Sequence, residues 1–434
     1  MAEPIRLTGP VPPGLQRRGV LAGGAAVALG LPAARAQTRA RVVLQVAAFP
    51  LVDEICRAAL PAWRQLHPDV DVQVATRQYA DHHTAMTTSL STSVLLPDVM
   101  ALEGSYVGRF ALGSGLEDLR QAPYGIEQFR DRVVPYAYQL AVGRGGAVVA
   151  MPTDVGPGTM VYRQDMLAKA GVDVAAMGAS WQGFLEAGQR LKANTGAYLV
   201  SHARSVNDIL LRTGLKPGEG LYFDSGSRVL VDSPRFRRAF EVAREVRRQG
   251  LDAKVVTWSN DWAESLRRGR LAVELSGAWM VGQLSNWVAP QTVGLWRAAH
   301  LPEGANAGYG GTFYAIPRRA NPAHKALAWQ FIQLMTLNRE RQLAAFKGFD
   351  AFPALLETHD DAFFDEPVTF LGGQRARGLW REAARRIAAA PTHKQNNFAG
   401  EVVNSELDQV LQRGKDIATA LGDAQRLLQR RAHR

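Results

Sequence analysis

Few residues of this chain stand in a pattern that performs covalent chemistry. The 434 residues contain no Gly-x-Ser-x-Gly turn for a nucleophilic serine, no Gly-x-x-x-x-Gly-Lys-Ser/Thr phosphate loop and no His-Glu-x-x-His zinc pair. Residues 143–146 also lack the spacing of a dinucleotide-binding turn. A pair of catalytic carboxylates leaves no such local signature, so a hydrolase or lyase remains an alternative hypothesis.

The most compact group of possible metal ligands is Asp81-His82-His83. Side chains of adjacent residues diverge, and zinc sites usually separate their ligands by two residues or more. The single cysteine, Cys56, has no partner for an internal disulfide and lies in an apolar stretch, which is typical of a small buried hydrophobe. We therefore expect no metal site and no cofactor.

The net charge of +11 raises the question of a nucleic-acid partner. The densest basic run extends from Arg235 to Arg248, and Phe236, Phe240 and Val246 fall between its arginines at helical spacing. This pattern predicts an amphipathic helix whose arginines face water, and no nucleic-acid module accompanies it. We expect no nucleic-acid partner.

Residues 1–36 have the pattern of a signal peptide. A basic start with Arg17-Arg18 precedes an apolar run to Leu31 and an Ala34-Arg35-Ala36 cleavage site. The paired arginines resemble a twin-arginine export signal, with the general secretory route as the alternative. The apolar run is too short to span a membrane, and no cysteine stands at the cleavage site to carry a lipid. We expect an exported, soluble periplasmic protein that is not a lipoprotein.

Beyond the leader, short apolar runs alternate with amphipathic stretches, which predicts an α/β fold. Strands are predicted over residues 42–48, 70–75, 97–102 and 147–151. Helices are predicted over residues 53–66, 84–92 and 322–337, and from 403 to the C-terminal end with an interruption at Gly414.

Five blocks of the mature chain, in order, resemble the family 1 extracellular solute-binding proteins, the sugar-binding components of ABC importers. The blocks are His67-Pro68-Asp69-Val70 after Trp63, Pro97-Asp98-Val99 with Glu103-Gly104 and Tyr106, Pro152-Thr-Asp154-Val-Gly156 with Tyr162-Arg-Gln-Asp165, Gly269-Arg-Leu-Ala272 with Gly277-Ala-Trp279, and Leu301-Pro302 with Gly310-Gly311 and Ala315-Ile-Pro317.

The resemblance implies two discontinuous α/β lobes of the periplasmic-binding-protein type, joined by hinge strands around a ligand cleft. Lobe one would comprise residues 38–155 plus 304–336, and lobe two residues 156–303 plus 337–434. The chain would cross between them near residues 154–158, 302–308 and 337. It also implies a monomeric binding protein without enzymatic activity, whose partners are a small carbohydrate and the ABC permease subunits of the inner membrane.

A sugar site needs flat aromatic surfaces for the C–H faces of the ring and a few polar groups for its hydroxyls. Trp279 matches a family position where an aromatic ring stacks on sugar. The expected ligand contacts are Trp279, Trp258, Trp262, Tyr309, Gly277, Gly310, Gly311, Glu103, Asp154 and Asp81. Trp63, Trp181 and Trp329 lie on amphipathic helices and are predicted to be core residues.

Alternatives remain open for several of these residues. Trp258 and Trp262 could pack in the core or on the surface, and Glu103 could cap a helix instead of binding a ligand. The ligand could also be a polyamine, a phosphorylated polyol or a metal chelate. An exported carbohydrate-active enzyme is the least favoured function.

Overall fold

The strands form one path of paired neighbours, in the order β2-β1-β3-β7-β4-β5, with β6 also paired to β4. The structure is a computed structural model and describes residues 41–432, apart from the side chain of Arg144. The leader therefore lies outside the described residues. The strands are β1 Val42–Ala48, β2 Val70–Thr76, β3 Val99–Glu103, β4 Met151–Arg163, β5 Val273–Gly277, β6 Trp296–Ala299 and β7 Gly308–Ala315.

Helices surround this sheet. They are α1 Val52–Leu66, α2 Tyr79–Thr92, α3 Gly104–Ala111, α4 Pro135–Leu140, α5 Gln164–Lys169, α6 Val174–Ala179, α7 Trp181–Thr195, α8 Ala203–Leu211, α9 Pro234–Arg248, α10 Asn260–Arg267, α11 Met280–Gln283, α12 Lys325–Leu337, α13 Arg339–Phe349, α14 Arg377–Arg386, α15 Asn396–Arg413 and α16 Ile417–Gln429. None of the described helices has the length and apolar composition needed to cross a membrane.

The long strand β4 changes partners along its length. Its first part, from Met151 to Pro157, pairs antiparallel with β7, which continues to β3, β1 and β2. Its second part, from Gly158 onward, pairs with β5 on one side and with β6 on the other. One strand therefore joins two separately paired halves of the molecule.

The buried side chains form two clusters. One surrounds β1 and β3 and includes Leu44, Val99 and Phe346, so that α13 packs with α12 in the same cluster. The other contains Phe184, Phe236 and residues of α15 and α16. Two cores of this size suit a chain whose length exceeds that of one ordinary domain. The lobe boundaries expected from the sequence remain a prediction.

Most predicted elements are confirmed. β1, β2 and α1 lie where hydrophobic periodicity places them, and α9 buries Phe236, Phe240 and Val246 with its arginines outward. The C-terminal helix is interrupted at Gly414, whose φ of 68° ends α15 in a left-handed cap. Trp63, Trp181 and Trp329 are core residues as predicted, with exposed fractions of 1–4%.

Two predicted elements are wrong in extent. α2 begins at Tyr79, not at residue 84, because the polar-looking His82 and His83 face the interior and continue the helix. The strand predicted over 147–151 instead begins at Met151 and runs to Arg163. Pro152 and Pro157 flank register shifts in the β4–β7 pairing, and such irregularities accommodate residues that lack a backbone donor.

Candidate functional site

Four aromatic side chains form a row beside the β4–β7 pairing. The ring centroids of Tyr309 and Trp279 are 6.1 Å apart, those of Trp279 and Trp258 are 5.9 Å apart, and those of Trp258 and Trp287 are 6.1 Å apart. The planes of Trp258 lie within 21–22° of those of both neighbouring tryptophans. We call these four residues the aromatic row.

Trp279 is fixed by a hydrogen bond and by three glycines. Its indole Nε1–H donates to the Tyr309 carbonyl at 2.8 Å. A Cβ atom on Gly277 would lie 2.3 Å from this Nε1, one on Gly310 would lie 3.0 Å away, and one on Gly156 would lie 3.1 Å away. The absence of side chains at these three positions makes room for the indole, which leaves Trp279 partly exposed.

Trp262 lies beneath the aromatic row. Its ring is 5.0 Å from that of Trp258, it has no exposed surface, and its Nε1–H donates to Glu274 Oε1 at 2.9 Å. Trp258, in contrast, is 51% exposed and has a φ of 72°, a conformation that bulky residues rarely adopt. The sequence left ligand contact and packing open for both residues; the structure buries Trp262 and exposes Trp258.

Glu274, which holds Trp262, makes the stability of this region pH-dependent. Glu274 is 4% exposed, and burial raises its pKa from 4.5 to about 7 against the hydrogen bond from Trp262. Because the unfolded chain releases this proton at lower pH than the folded chain, the free energy of unfolding falls as pH rises from 4.5 to 7. Above about pH 7 the loss is complete.

We therefore expect Glu274→Gln to become more stable relative to the wild type as pH rises. The difference should grow by about 3 kcal/mol between pH 4 and pH 8, since one pKa unit corresponds to about 1.4 kcal/mol. Urea unfolding at pH 4, 6 and 8 measures it. Glu54→Gln, which changes an exposed glutamate, controls for the lost negative charge. A difference that stays constant with pH would contradict burial of the charge.

A second group of polar and aromatic side chains surrounds Glu103, and we call it the Glu103 wall. Glu103 ends β3 and caps α3, where its Oε2 accepts hydrogen bonds from the Ser105 N–H at 2.9 Å, from the Ser105 hydroxyl, and from the Tyr79 hydroxyl at 2.9 Å. Tyr106 completes the wall, with its ring 6.0 Å from that of Tyr79. The capping alternative from the sequence is thus correct, and it leaves Oε1 without a donor from the described residues.

His83 supports the Glu103 wall from below. Its Nδ1 bonds the Tyr79 carbonyl at 2.8 Å, its Nε2 accepts the Glu103 backbone N–H at 3.0 Å, and its ring stacks on Tyr106 at 4.0 Å. Since Nε2 is the acceptor, the proton is on Nδ1. Burial lowers the pKa of His83 to about 4, so the ring is neutral near pH 7.

The Asp81-His82-His83 group is divided by the structure. Asp81 is exposed in the first turn of α2, whereas His82 is buried and bonds the Ala101 carbonyl at 2.7 Å. No group of three possible metal ligands occurs within residues 41–432. Asp81 is thus the one predicted contact residue that belongs to neither the aromatic row nor the Glu103 wall nor their supports.

Arg212 and Asp208 join the site at Tyr309. The Arg212 guanidinium lies 4.6 Å from the centre of the Tyr309 ring, and its Nη2 donates to Asp208 Oδ1 at 3.2 Å. Arg212 Nε is buried without a partner in the described part of the chain. The charge of Glu103 raises the pKa of both Arg212 and Tyr309, which places the Glu103 wall close to this end of the aromatic row.

Asp154 and the glycine pair lie where β4 meets β7. Burial raises the pKa of Asp154 to about 6, although Thr312 hydrogen-bonds its carboxylate. Gly310 and Gly311 have φ values of 85° and 117°, which side chains disfavour, and a Cβ on Gly311 would lie 2.9 Å from the Asp154 carbonyl. The backbone therefore approaches closely at the inner end of the site.

The structure brings most of the predicted contact residues together. Trp279, Trp258, Tyr309, Gly277, Gly310, Gly311 and Asp154 gather along the aromatic row and its inner end, and Glu103 lies near Tyr309. The sequence analysis missed Trp287, Tyr79, Tyr106, Asp208 and Arg212. No motif marks them; only the packing of separate segments brings them to this place.

Comparison with solved structures supports the fold. An extracellular solute-binding protein of family 1 superposes with a TM-score of 0.78 over 90% of this chain and 100% of its own, at 21% identity. The sugar-binding protein MalE from Xanthomonas citri gives a TM-score of 0.74 over 90% of this chain and 98% of its own, at 20% identity. The predicted two-lobed periplasmic-binding-protein fold is confirmed.

Sequence comparison gives the family. The arabinooligosaccharide-binding protein of Bacillus subtilis is 23% identical over 304 residues, which are 66% of this chain and 68% of its own length. That of Halalkalibacterium halodurans is 22% identical over 326 residues, which are 72% of this chain and 71% of its own length. Residues 60–371 match the model of one family over most of the mature chain. The chain belongs to the bacterial extracellular solute-binding proteins.

Proposed function

We propose that this protein captures a carbohydrate between the aromatic row and the Glu103 wall and delivers it to an ABC-type importer. The observation that carries the proposal is the aromatic row, four rings at nearly even spacing with two tryptophans about half exposed. Aromatic faces complement the apolar C–H faces of sugar rings. The names of the relatives, arabinooligosaccharide-binding proteins, agree with this class of ligand.

The Glu103 wall supplies the polar part of such a site. Three donors fix the orientation of the carboxylate through Oε2, so that Oε1 is positioned to accept a hydrogen bond from a sugar hydroxyl. Near Tyr309, the unpartnered Nε of Arg212 offers a donor. A pre-oriented acceptor and donor beside flat rings match the alternating hydroxyls and C–H faces of a sugar.

The charges in the site favour a neutral ligand over a phosphorylated polyol. Three carboxylates, of Glu103, Asp154 and Asp208, lie around one cation, Arg212. A phosphate group would meet repulsion from these carboxylates. A polyamine would instead be attracted to them, so it is the candidate that an experiment has to separate from sugars.

We also propose the context in which binding takes place. Export through the leader of residues 1–36, by the twin-arginine route, would bring a monomeric protein to the periplasm. Lobe one would comprise residues 38–155 plus 304–336 and lobe two the remainder, and contacts from both to one ligand would favour the closed state that permeases recognise. No chemistry on the ligand is part of this function.

A thermal-shift panel tests the proposal. We expect one or more of arabinose, arabinobiose, arabinotriose, maltose and β-1,6-galactobiose to raise the melting temperature, because a ligand at a hundred times its Kd stabilises the native state by about 2.7 kcal/mol. Spermidine and glycerol 3-phosphate serve as charged comparison solutes. A shift with spermidine alone would replace the carbohydrate by a cation, and hydrolysis of an oligosaccharide during incubation would contradict a pure binding function.

A further inference from the structure

We propose that the aromatic row is a run of successive sugar subsites, and that the ligand is an oligosaccharide long enough to reach Trp287. This inference rests on the proposed function and extends it from a class of ligand to its length. It also assigns a binding role to Trp287, a residue to which neither the sequence nor the family points.

The spacing of the rings is the first observation. Three successive steps of 6.1, 5.9 and 6.1 Å lead from Tyr309 through Trp279 and Trp258 to Trp287. Each step is close to the length of one sugar ring along a chain. A monosaccharide would cover only one or two of these rings, and the remaining tryptophans would stay in contact with water.

The exposure of the outer rings is the second observation. Trp258 and Trp287 are 51% and 52% exposed, whereas Trp279 and Tyr309 are partly buried and pack against the two cores. Val256 and Val293, at 64% and 52%, extend the exposed apolar surface. Large exposed apolar surfaces of this kind mark interaction sites. The aromatic row thus runs from a sheltered inner end to an open outer end.

The backbone around the outer rings is the third observation. Trp258 keeps a φ of 72°, which costs of the order of 1–3 kcal/mol for a non-glycine residue and persists where function or packing requires it. Trp287 lies in a π-helical turn, Leu284–Val288, a rare geometry that is frequent at functional sites. Both local irregularities occur at the two rings that the inner site does not need.

The outer rings are also held before any ligand binds. Trp287 Nε1–H donates to Gln283 Oε1 at 2.5 Å, and Arg267 Nε donates to the Val288 carbonyl at 2.7 Å. Trp258 rests on the buried Trp262. Rings that are already ordered lose little conformational entropy when they bind. Because these rings continue the planes of the inner site, the distal units of the same ligand are the occupant that the geometry favours.

Calorimetric titration of the full-length mature protein tests this inference. The probes are arabinose to arabinotetraose and, in parallel, glucose to maltotetraose. For the series that binds, we expect affinity to rise with each added unit up to three or four. Trp287→Ala should lower the affinity for the tetrasaccharide about tenfold, as expected for the loss of one aromatic contact. It should change the affinity for the disaccharide less than about twofold.

Two variants serve as controls. Leu95→Ala removes an apolar side chain that is 86% exposed on another segment, and it should change neither affinity. Trp287→Phe keeps an aromatic face and should retain most of the gain with length. Equal affinity for disaccharide and tetrasaccharide, or an equal loss for both in Trp287→Ala, would overturn the inference while leaving carbohydrate binding intact. If no carbohydrate of any length binds, the proposed function itself fails.

If Trp287→Ala leaves every titration unchanged but alters the oligomeric state or transport by the reconstituted importer, the outer patch is a protein interface. That result would also overturn the inference. Gel filtration with light scattering on both variants provides this readout alongside the titrations.

Discussion

Replacing Trp279 by alanine is expected to lower carbohydrate affinity by at least about thirtyfold. Trp279 stands between Tyr309 and Trp258, so its removal interrupts the aromatic row at its centre. The loss of the buried apolar contact of one large ring is worth about 2 kcal/mol or more, and 1.4 kcal/mol is a tenfold change. Titration calorimetry with the sugar that gives the largest thermal shift measures the effect.

Trp279→Phe separates stacking from positioning. Phenylalanine retains a ring but loses the Nε1–H that donates to the Tyr309 carbonyl. Its affinity should therefore fall between those of the wild type and Trp279→Ala. Unchanged affinity in Trp279→Ala, with a normal melting curve, would show that this indole packs in the structure without touching the ligand.

Gly156→Ala is expected to impair both folding and binding. A Cβ at this position would lie 1.8 Å from the Tyr309 carbonyl oxygen and 2.7 Å from the carbonyl carbon, so the backbones of β4 and β7 must separate. Overpacking of a tight site usually costs 1–3 kcal/mol and occasionally more, and we expect about 3 kcal/mol here. Affinity should fall as well, because Tyr309 holds Trp279.

Gly348→Ala is the matched control for this change. Gly348 lies within α13, and no atom outside its own helix turn approaches the position of a Cβ within 4 Å. Alanine should leave stability unchanged or raise it by up to about 1 kcal/mol. Chemical unfolding and calorimetry on both variants give the comparison. A Gly156→Ala variant as stable as the wild type would mean that β4 and β7 adjust at little cost.

Hydrophobic periodicity predicts the regular elements of this fold well. β1 and α9 have the expected positions because alternation and a 3.6-residue repeat report directly on which face is buried. β4 was not predicted in full, since its two prolines read as strand breakers and its irregular pairing with β7 becomes visible only in three dimensions. The start of α2 was missed because two histidines are buried there.

The site could be predicted only in part for a related reason. Trp279 and the Gly310-Gly311 pair stand in blocks of recognisable sequence, whereas Trp287 and Arg212 depend on which segments fold beside Trp258 and Tyr309. Trp258 and Trp262 are four residues apart and look equivalent in sequence. The helix that begins at Asn260 turns Trp262 inward and leaves Trp258 outside, where only the ladder of rings explains it.

The divided pairing of β4 means that neither half of this protein is a module. A cut in the chain near Pro157 would strip β7 of one neighbour and β5 of another, and each fragment would present open backbone donors and acceptors to other chains. Such fragments invite aggregation instead of independent folding. Biosensors or domain fusions made from this scaffold therefore have to keep β4 intact and place their insertions elsewhere.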